Sequence, residues 1–250
     1  MEKIVEPELN LTIYTPLKNP TKKDAISALA EVTRAAKYIN NCKSLKFDNI
    51  DLCLFLDGYD DPAIPKFCEE DHSAKILRSQ INKGLTFAAN QVIKHSNSSH
   101  ILRLDFGDLI TPVRSKAVDS RAIQNADIIG IPIRTITANG DSTKTSSDAY
   151  QAFRNQLANT IPVDQLKSPE GAGCIIKTDV FRKIGCYPEL PHGDDLWLWL
   201  NTHSNNLVVS YIDDLEYQYF KSPDSLSAGS DLRANSRSSI YNLWKDNVAK

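Results

Sequence analysis

Short apolar runs and helical stripes alternate along the chain, separated by turn-forming residues. Leu11 to Thr15 is a short apolar, β-branched run that ends at Pro16, which predicts a first strand. Thr21-Lys-Lys-Asp24 has the form of a capping box, with a short acid where Glu is usual. Behind it Ala25, Leu29, Val32, Ala36 and Ile39 recur at helical spacing, so Asp24 to Asn40 is predicted to be an amphipathic helix. Asp51 to Leu56 is almost wholly apolar, as in a strand covered on both faces, and ends in the turn signal Asp57-Gly-Tyr-Asp-Asp-Pro62. Ala74 to Ser79 is a third candidate strand. Gly84 then precedes a helix with Leu85, Ala88, Val92 and Ile93 on one face. The next run, His100 to Leu104, is apolar from Ile101 except for Arg103; it stops at Asp105, and Asp108 follows three residues later. Pro112 is read as the start of a helix to about Asn125, and Asp127 to Thr137 as an Ile-rich strand.

This alternation of strand and helix predicts a parallel sheet with crossover helices. The second half is less regular. Asn139 to Asp148 is polar and reads as a loop, Cys174 to Lys177 as a strand, and Thr178 to Ile184 as a short helix closed by Gly185. A helix opening at Asp194 or Asp195 carries Leu196, Trp197, Trp199 and Leu200. Leu207 to Ile212 and Glu216 to Phe220 are strand candidates, and Leu232 to Val248 is a final helix. With no internal repeat and no linker, a single α/β domain is expected over 1–250. Its nucleotide-binding half would span about 9–112, its acceptor half about 113–230, and its last helix about 231–250.

Composition narrows the class. The chain's 250 residues are ample for a core, and 41% hydrophobic with 24% charged residues is ordinary for a globular protein. Lys plus Arg is 29 against 31 Asp plus Glu, a net charge of −2, which removes the electrostatic case for nucleic acid as a partner. Five cysteines without a Cys-x-x-Cys pair argue against a disulfide framework or a zinc site and for free thiols in a reducing compartment. The N-terminus is too acidic for a signal peptide, and no stretch approaches the roughly 20 apolar residues of a transmembrane segment. A cytoplasmic protein, free or peripheral to a membrane, is expected.

Four stretches carry candidate chemistry. Asp57 closes the second strand; Asn82-Lys-Gly-Leu-Thr-Phe-Ala-Ala-Asn90 opens a helix whose free N–H groups favour an anion. Asp105-Phe-Gly-Asp108 lies where a strand opens into a loop, the place where open α/β sheets bind ligands. His192-Gly-Asp-Asp-Leu-Trp-Leu-Trp199 puts two acids in the first turn of a helix. Each also has a local explanation, because Asp and Gly form turns and acids suit helix N-termini.

Taken in order and with the strand ending in Thr15-Pro-Leu-Lys-Asn19, these stretches resemble the inverting GT-A glycosyltransferases of family 2. Gly171-Ala-Gly-Cys-Ile-Ile-Lys-Thr-Asp-Val-Phe-Arg-Lys-Ile-Gly185 is similar to the family's segment before the catalytic acid. The resemblance covers roughly Leu11 to Phe220. It implies a GT-A fold, Rossmann-like, with a mostly parallel sheet flanked by helices. It also implies an enzyme that moves a sugar from a nucleoside diphosphate sugar to a hydroxyl of a saccharide, glycolipid or glycoprotein acceptor.

By the same resemblance Pro16 and Asn19 mark the loop that cups the nucleotide, Asp57 contacts base or ribose, and Asn82 and Gly84 lie along the donor. Asp105 and Asp108 stand at a metal–diphosphate site for Mn²⁺ or Mg²⁺, and Asp195 is the general base. Asp194 takes the place of the family's usual Glu, and His192 and Trp197 are the acceptor-side candidates. A hard cation would offset charge on the leaving diphosphate, and a carboxylate on the opposite face would take the acceptor's proton.

The chain departs from the family in three places. Leu56 stands where a first acid is usual, Gly107 replaces the usual second metal ligand, and Tyr217-Gln-Tyr-Phe220 lacks a His, leaving Lys221 or Arg233 to supply positive charge. A non-catalytic GT-A module that binds nucleotide sugar or glycan is the alternative from another class. A sugar-1-phosphate nucleotidyltransferase would want a Gly-rich basic loop near the N-terminus, which Thr15 to Pro20 does not provide.

Overall fold

The computed structural model describes residues 8–59, 74–113, 125–140, 142–144, 148–159, 161–163, 165–190, 192–221 and 230–248, with the side chains of the last segment described from residue 235. The first half alternates as expected: β1 (Asn10–Lys18), α1 (Lys22–Asn40), β2 (Asn49–Asp57), β3 (Lys75–Ser79), α2 (Leu85–His95) and β4 (His100–Arg103). The capping box at α1 is closed in both directions, Asp24 N–H donating to Thr21 Oγ1 at 3.2 Å and Thr21 N–H to Asp24 Oδ2 at 2.8 Å. The shorter acid therefore reaches as Glu would. Ala25, Ala28, Leu29, Val32, Ala35 and Ile39 form the buried stripe of this helix.

After β4 come β5 (Leu109–Pro112), β6 (Ile128–Gly130), β7 (Ile133–Ile136), β8 (Ser142–Lys144) and α3 (Ala149–Ala158). They are followed by β9 (Cys174–Lys177), α4 (Thr178–Ile184), α5 (Asp194–Ser204), β10 (Val209–Tyr211), β11 (Leu215–Phe220) and α6 (Ser230–Val248). Seven strands form one sheet in the order β10-β6-β9-β4-β1-β2-β3, in which only β9 runs against its neighbours. A second sheet, β5-β11-β7-β8, is mixed.

The large sheet is covered on both faces, which is why its strands read as continuous apolar runs. Leu11, Ile13, Leu54, Leu56 and Leu102 pack in one core with the stripe of α1. Tyr14, Cys53, Phe55 and Ile101 point the other way, into a core shared with α2, α4 and α5. The parallel strands β1, β2 and β4 run in one direction and end on one side of the sheet: Lys18 comes out beside Asp57, while β4 ends lower, with Arg103 opposite Tyr14. No helix among the described residues is long and apolar enough to cross a membrane.

Five readings change. β1 does not stop at Pro16 but runs to Lys18. Beyond Tyr14 it has lost its pairing with β4, and a proline is tolerated on that open side. Pro112 ends β5 rather than starting a helix, and residues 114–124 lie outside the described part of that reading. The Ile-rich run from Asp127 to Thr137 is two strands in two different sheets, parted at Ile131-Pro132, because proline cannot donate to a ladder. The polar stretch 139–148 contains β8 on the edge of the second sheet, where Thr143 pairs with Thr135. Finally, α3 was not expected; Phe153 is its one buried side chain, too thin a stripe to register as a helical period.

Candidate active site

The carboxyl ends of β1, β2 and β4 open into a cleft of about 1020 Å³, the position at which open α/β sheets take ligands. Pro16, Asp57, Asn82, Gly84, Asp105, Asp108, His192, Asp194 and Asp195 all line it. Residues as far apart in sequence as Pro16 and Asp195 thus line one cleft. Asn19 and Trp197 are not among the lining residues.

On the donor side the β2 turn is held tightly. Asp57 is 4% exposed, and its carboxylate accepts from the backbone N–H groups of Lys83 (2.8 Å) and Gly84 (2.7 Å), tying the end of β2 to the entrance of α2. Asn82 Oδ1 accepts a second bond from Gly84 at 3.1 Å. Asn19 sits at φ 44°, and its N–H bonds the Asp57 carbonyl at 2.7 Å. Its amide oxygen lies where a Cβ on Gly58 would stand, and Gly58 itself has φ 83°, so that position takes glycine for two reasons. Asn19 therefore braces the turn from behind. Lys18, Lys83 and Lys221 bring positive charge to the cleft lining.

The acids meet around Arg103. This residue ends β4, its side chain is only 10% exposed, and its fork faces three carboxylates. Nε lies 3.1 Å from Asp105 Oδ1, Nη1 2.5 Å from Asp194 Oδ2, and Nη2 3.8 Å from Asp195 Oδ1. Burial alone would lower the affinity of Arg103 for its proton, but the three carboxylates outweigh it and the pKa rises. In the sequence Arg103 is only an interruption in an apolar run. The signal was there, since a charge in a strand covered on both faces needs a partner.

Asp195 is placed differently from Asp194. Its Oδ1 accepts from Gly171 N–H at 2.7 Å, and among the described residues no hydrogen bond is made to Oδ2. Its side chain is 26% exposed against 14% for Asp194. Burial, then the charges of Asp194 and Glu170, push its pKa well above the usual carboxylate value; Arg103 and the Gly171 N–H pull the other way. A carboxylate held by one oxygen, open on the other and made more basic by its surroundings has the form of a proton acceptor.

Glycine is required beside it. A Cβ on Gly171 would come within 2.6 Å of Asp195 Oδ1, and one on Gly173 (φ 72°) within 2.6 Å of Tyr217 Cδ2. The Gly171-Ala-Gly173 segment is shaped to let these two side chains in.

Asp105 and Asp108 are both engaged within the chain. The Asp105 carboxylate, its pKa raised by burial, is already paired with Arg103. Asp108 is 3% exposed, and both its oxygens are bonded, Oδ2 by the Tyr217 hydroxyl (2.7 Å) and Oδ1 by the Phe220 N–H (3.0 Å). The Tyr217 oxygen in turn accepts from Asp105 N–H at 3.1 Å. Asp108 therefore locks the loop after β4 to β11, and burial pushes its pKa up to about 7. Among the described residues no three His, Cys, Asp or Glu side chains gather as a metal-holding group. The expected Mn²⁺ or Mg²⁺ site does not fit these residues, for want of a second available oxygen ligand and because a cation already stands at the first.

The acceptor-side candidates divide. His192 lines the cleft beside Asp194. Trp197 is 5% exposed and its indole N–H donates to the Cys186 carbonyl at 2.6 Å, so it belongs to the core. Tyr217, noted in the sequence only as part of a segment that lacks a His, proves central to the acid loop. The side chain of Arg233 lies outside the described residues.

No protein-family model matches the chain, and no curated protein matches it in sequence. Its fold is similar to that of S. aureus TarS. The crystal structure of TarS aligns with a TM-score of 0.55 and 17% identity over 95% of this chain and 43% of that one. A structure of TarS 1-349 in complex with UDP-GlcNAc aligns with a TM-score of 0.55 and 15% identity, over 88% and 61% respectively. The chain spans less than two thirds of either structure. The architecture is thus α/β, a mostly parallel sheet flanked by helices, similar to the fold seen in TarS.

Proposed function

We propose that this chain is a glycosyltransferase that uses a nucleoside diphosphate sugar, inverts the anomeric carbon, and employs Asp195 as general base. The observation that carries the reading is the placement of Asp195: one oxygen is fixed by Gly171 N–H, and the other is open at a strand-end cleft large enough for a nucleotide sugar. The likeness to a fold that holds UDP-GlcNAc in TarS supports a nucleotide sugar as the ligand class.

In this reading the acceptor hydroxyl gives its proton to Asp195 Oδ2 as its oxygen attacks the anomeric carbon. The bond from that carbon to the diphosphate breaks on the opposite face, and the nucleoside diphosphate leaves with the electron pair. One in-line displacement inverts the centre. Lys18, Lys83 and Lys221 in the cleft lining supply positive charge toward the diphosphate. Asp194, held by Arg103, orients the first turn of α5 and thereby the base that follows it.

The test is a melting-temperature screen with nucleoside diphosphates and their sugars, followed by a UDP- or GDP-release assay with Asp195→Asn. Expected are a nucleotide-dependent rise in Tm by mass action and release that the substitution abolishes. A chain that binds nucleotide but releases none in the wild type is the non-catalytic module instead, a reading favoured by the ion pair of Asp105 with Arg103 and the hydrogen bonds that occupy Asp108. Absence of any nucleotide-dependent shift refutes both.

A further inference from the structure

The guanidinium of Arg103 lies among the carboxylates that a divalent cation would draw on. It lies at the end of β4, it faces Asp105 on the donor side and Asp194 and Asp195 on the α5 side, and it is shielded from solvent. A cation binding at Asp105 would have to displace or closely approach a fixed positive charge that already has carboxylate partners. The other nearby acid, Asp108, turns both oxygens to Tyr217 and Phe220, and the residue between, Gly107, has no side chain.

We propose that Arg103 is the resident cation of this cleft, a positioning residue that joins the donor-side acid to the two acids of α5 and makes the site independent of divalent metal. Two consequences follow from the geometry. The three carboxylates keep their places because one planar fork reaches them all, a task that a flexible ammonium with a single charge centre does poorly. Their charge is balanced in part without an ion from solution, so the cleft keeps its shape when chelator is present. The identity of the site as a nucleotide-sugar cleft rests on the function proposed above, but the displacement of metal by arginine does not, and its test uses no nucleotide.

The probe is Mn²⁺ alone, titrated into the full chain and followed by the loss of the free-ion electron paramagnetic resonance signal. Wild-type protein is expected to take up no Mn²⁺ up to about 10⁻³ M. Arg103→Ala leaves Asp105, Asp194 and Asp195 facing a vacated, cation-sized space, and it is expected to gain a site in the range of about 10⁻⁴–10⁻³ M, typical of weak carboxylate sites. Arg103→Gln, which keeps a donor for one carboxylate, is measured beside it and carries the test if the alanine variant does not fold, as judged by its thermal transition. Arg103→Lys retains a charge and is expected to bind none. Wild-type binding tighter than about 10⁻³ M overturns the proposal. So does the absence of any Mn²⁺ binding by a folded neutral variant, because the space would then not be a cation's place at all.

Discussion

Gly171→Ala is the substitution whose effect the structure specifies most closely. A Cβ at this position stands 2.6 Å from Asp195 Oδ1 and 3.6 Å from Leu198 Cδ2, where ordinary contact begins at 3.4 Å. Leu198 can stay; the carboxylate oxygen must retreat by about 0.8 Å. A shift of the order of 1 Å in a reacting group costs on the order of 10²-fold in rate, or about 2.7 kcal/mol of barrier. The fold has less to lose. Gly171 is not among the glycines with positive φ, so alanine brings no backbone strain, and the reduced freedom of the unfolded chain contributes a few tenths of a kcal/mol in its favour. The assay is UDP release from a UDP-sugar at saturating donor, with UDP affinity and Tm measured on the same preparation. Expected is a roughly 30- to 100-fold loss of turnover with UDP affinity unchanged and Tm within a few degrees of wild type. A folded variant that binds UDP normally and turns over at the wild-type rate refutes Asp195 as the base.

Three further outcomes follow from the same geometry. Asp195→Asn keeps the bond from Gly171 but cannot accept a proton, so release should fall by about 10²–10⁴-fold with nucleotide binding retained; unchanged release excludes the role. Glu170→Gln removes one of the charges that raise the Asp195 pKa, and the acid limb of the pH–rate profile should move to lower pH; an unmoved limb means that another group controls it. Asp108 binds its proton more tightly in the folded chain, at about 7, than in the unfolded chain near 3.8, so the native state loses stability as pH rises from about 4 to about 7. That loss is on the order of 4 kcal/mol, with the lowering by its two hydrogen bonds already included. Urea unfolding of Asp108→Asn at pH 5 and pH 8 should therefore show a smaller pH dependence than wild type, and an equal dependence removes Asp108 as its source.

The fold was legible where burial is uniform. β2 and β4 are covered on both faces, and α1 is covered on one, so each left a clean run or stripe in the sequence. Legibility failed where the local pattern does not say which partner will cover it. Ile128–Gly130 and Ile133–Ile136 form one apolar run, yet Tyr217 pairs with Ile133 and Ile175 with Ile129, in separate sheets. β8 is exposed along its length and exists because β7 offers it an edge. Nothing in Ser142-Thr-Lys144 itself asks for a strand.

The acids show the same limit at closer range. Asp57, Asp105, Asp108, Asp194 and Asp195 were each found as strand-end or helix-start residues, but their spacing cannot tell a ligand from a brace. Asp108 braces because β11, over 100 residues later, delivers the Tyr217 hydroxyl and the Phe220 N–H to its two oxygens. Asp57 is engaged because the turn before α2 folds back onto it. Arg103 is the residue from which the arrangement could have been deduced. A guanidinium in a strand buried on both faces costs several kcal/mol unless its charge is met, and the strand's end leaves room for acids there alone. Asp105 is two residues away, but one carboxylate cannot satisfy a planar fork with five donors. A second acid had to come from elsewhere in the chain, and the paired Asp194-Asp195 at the start of α5 is the place where two carboxylates arrive together with N-terminal helix charge to steady them. The requirement that a buried cation be surrounded thus draws α5 onto the end of β4, and leaves the outer of its two acids open to the cleft.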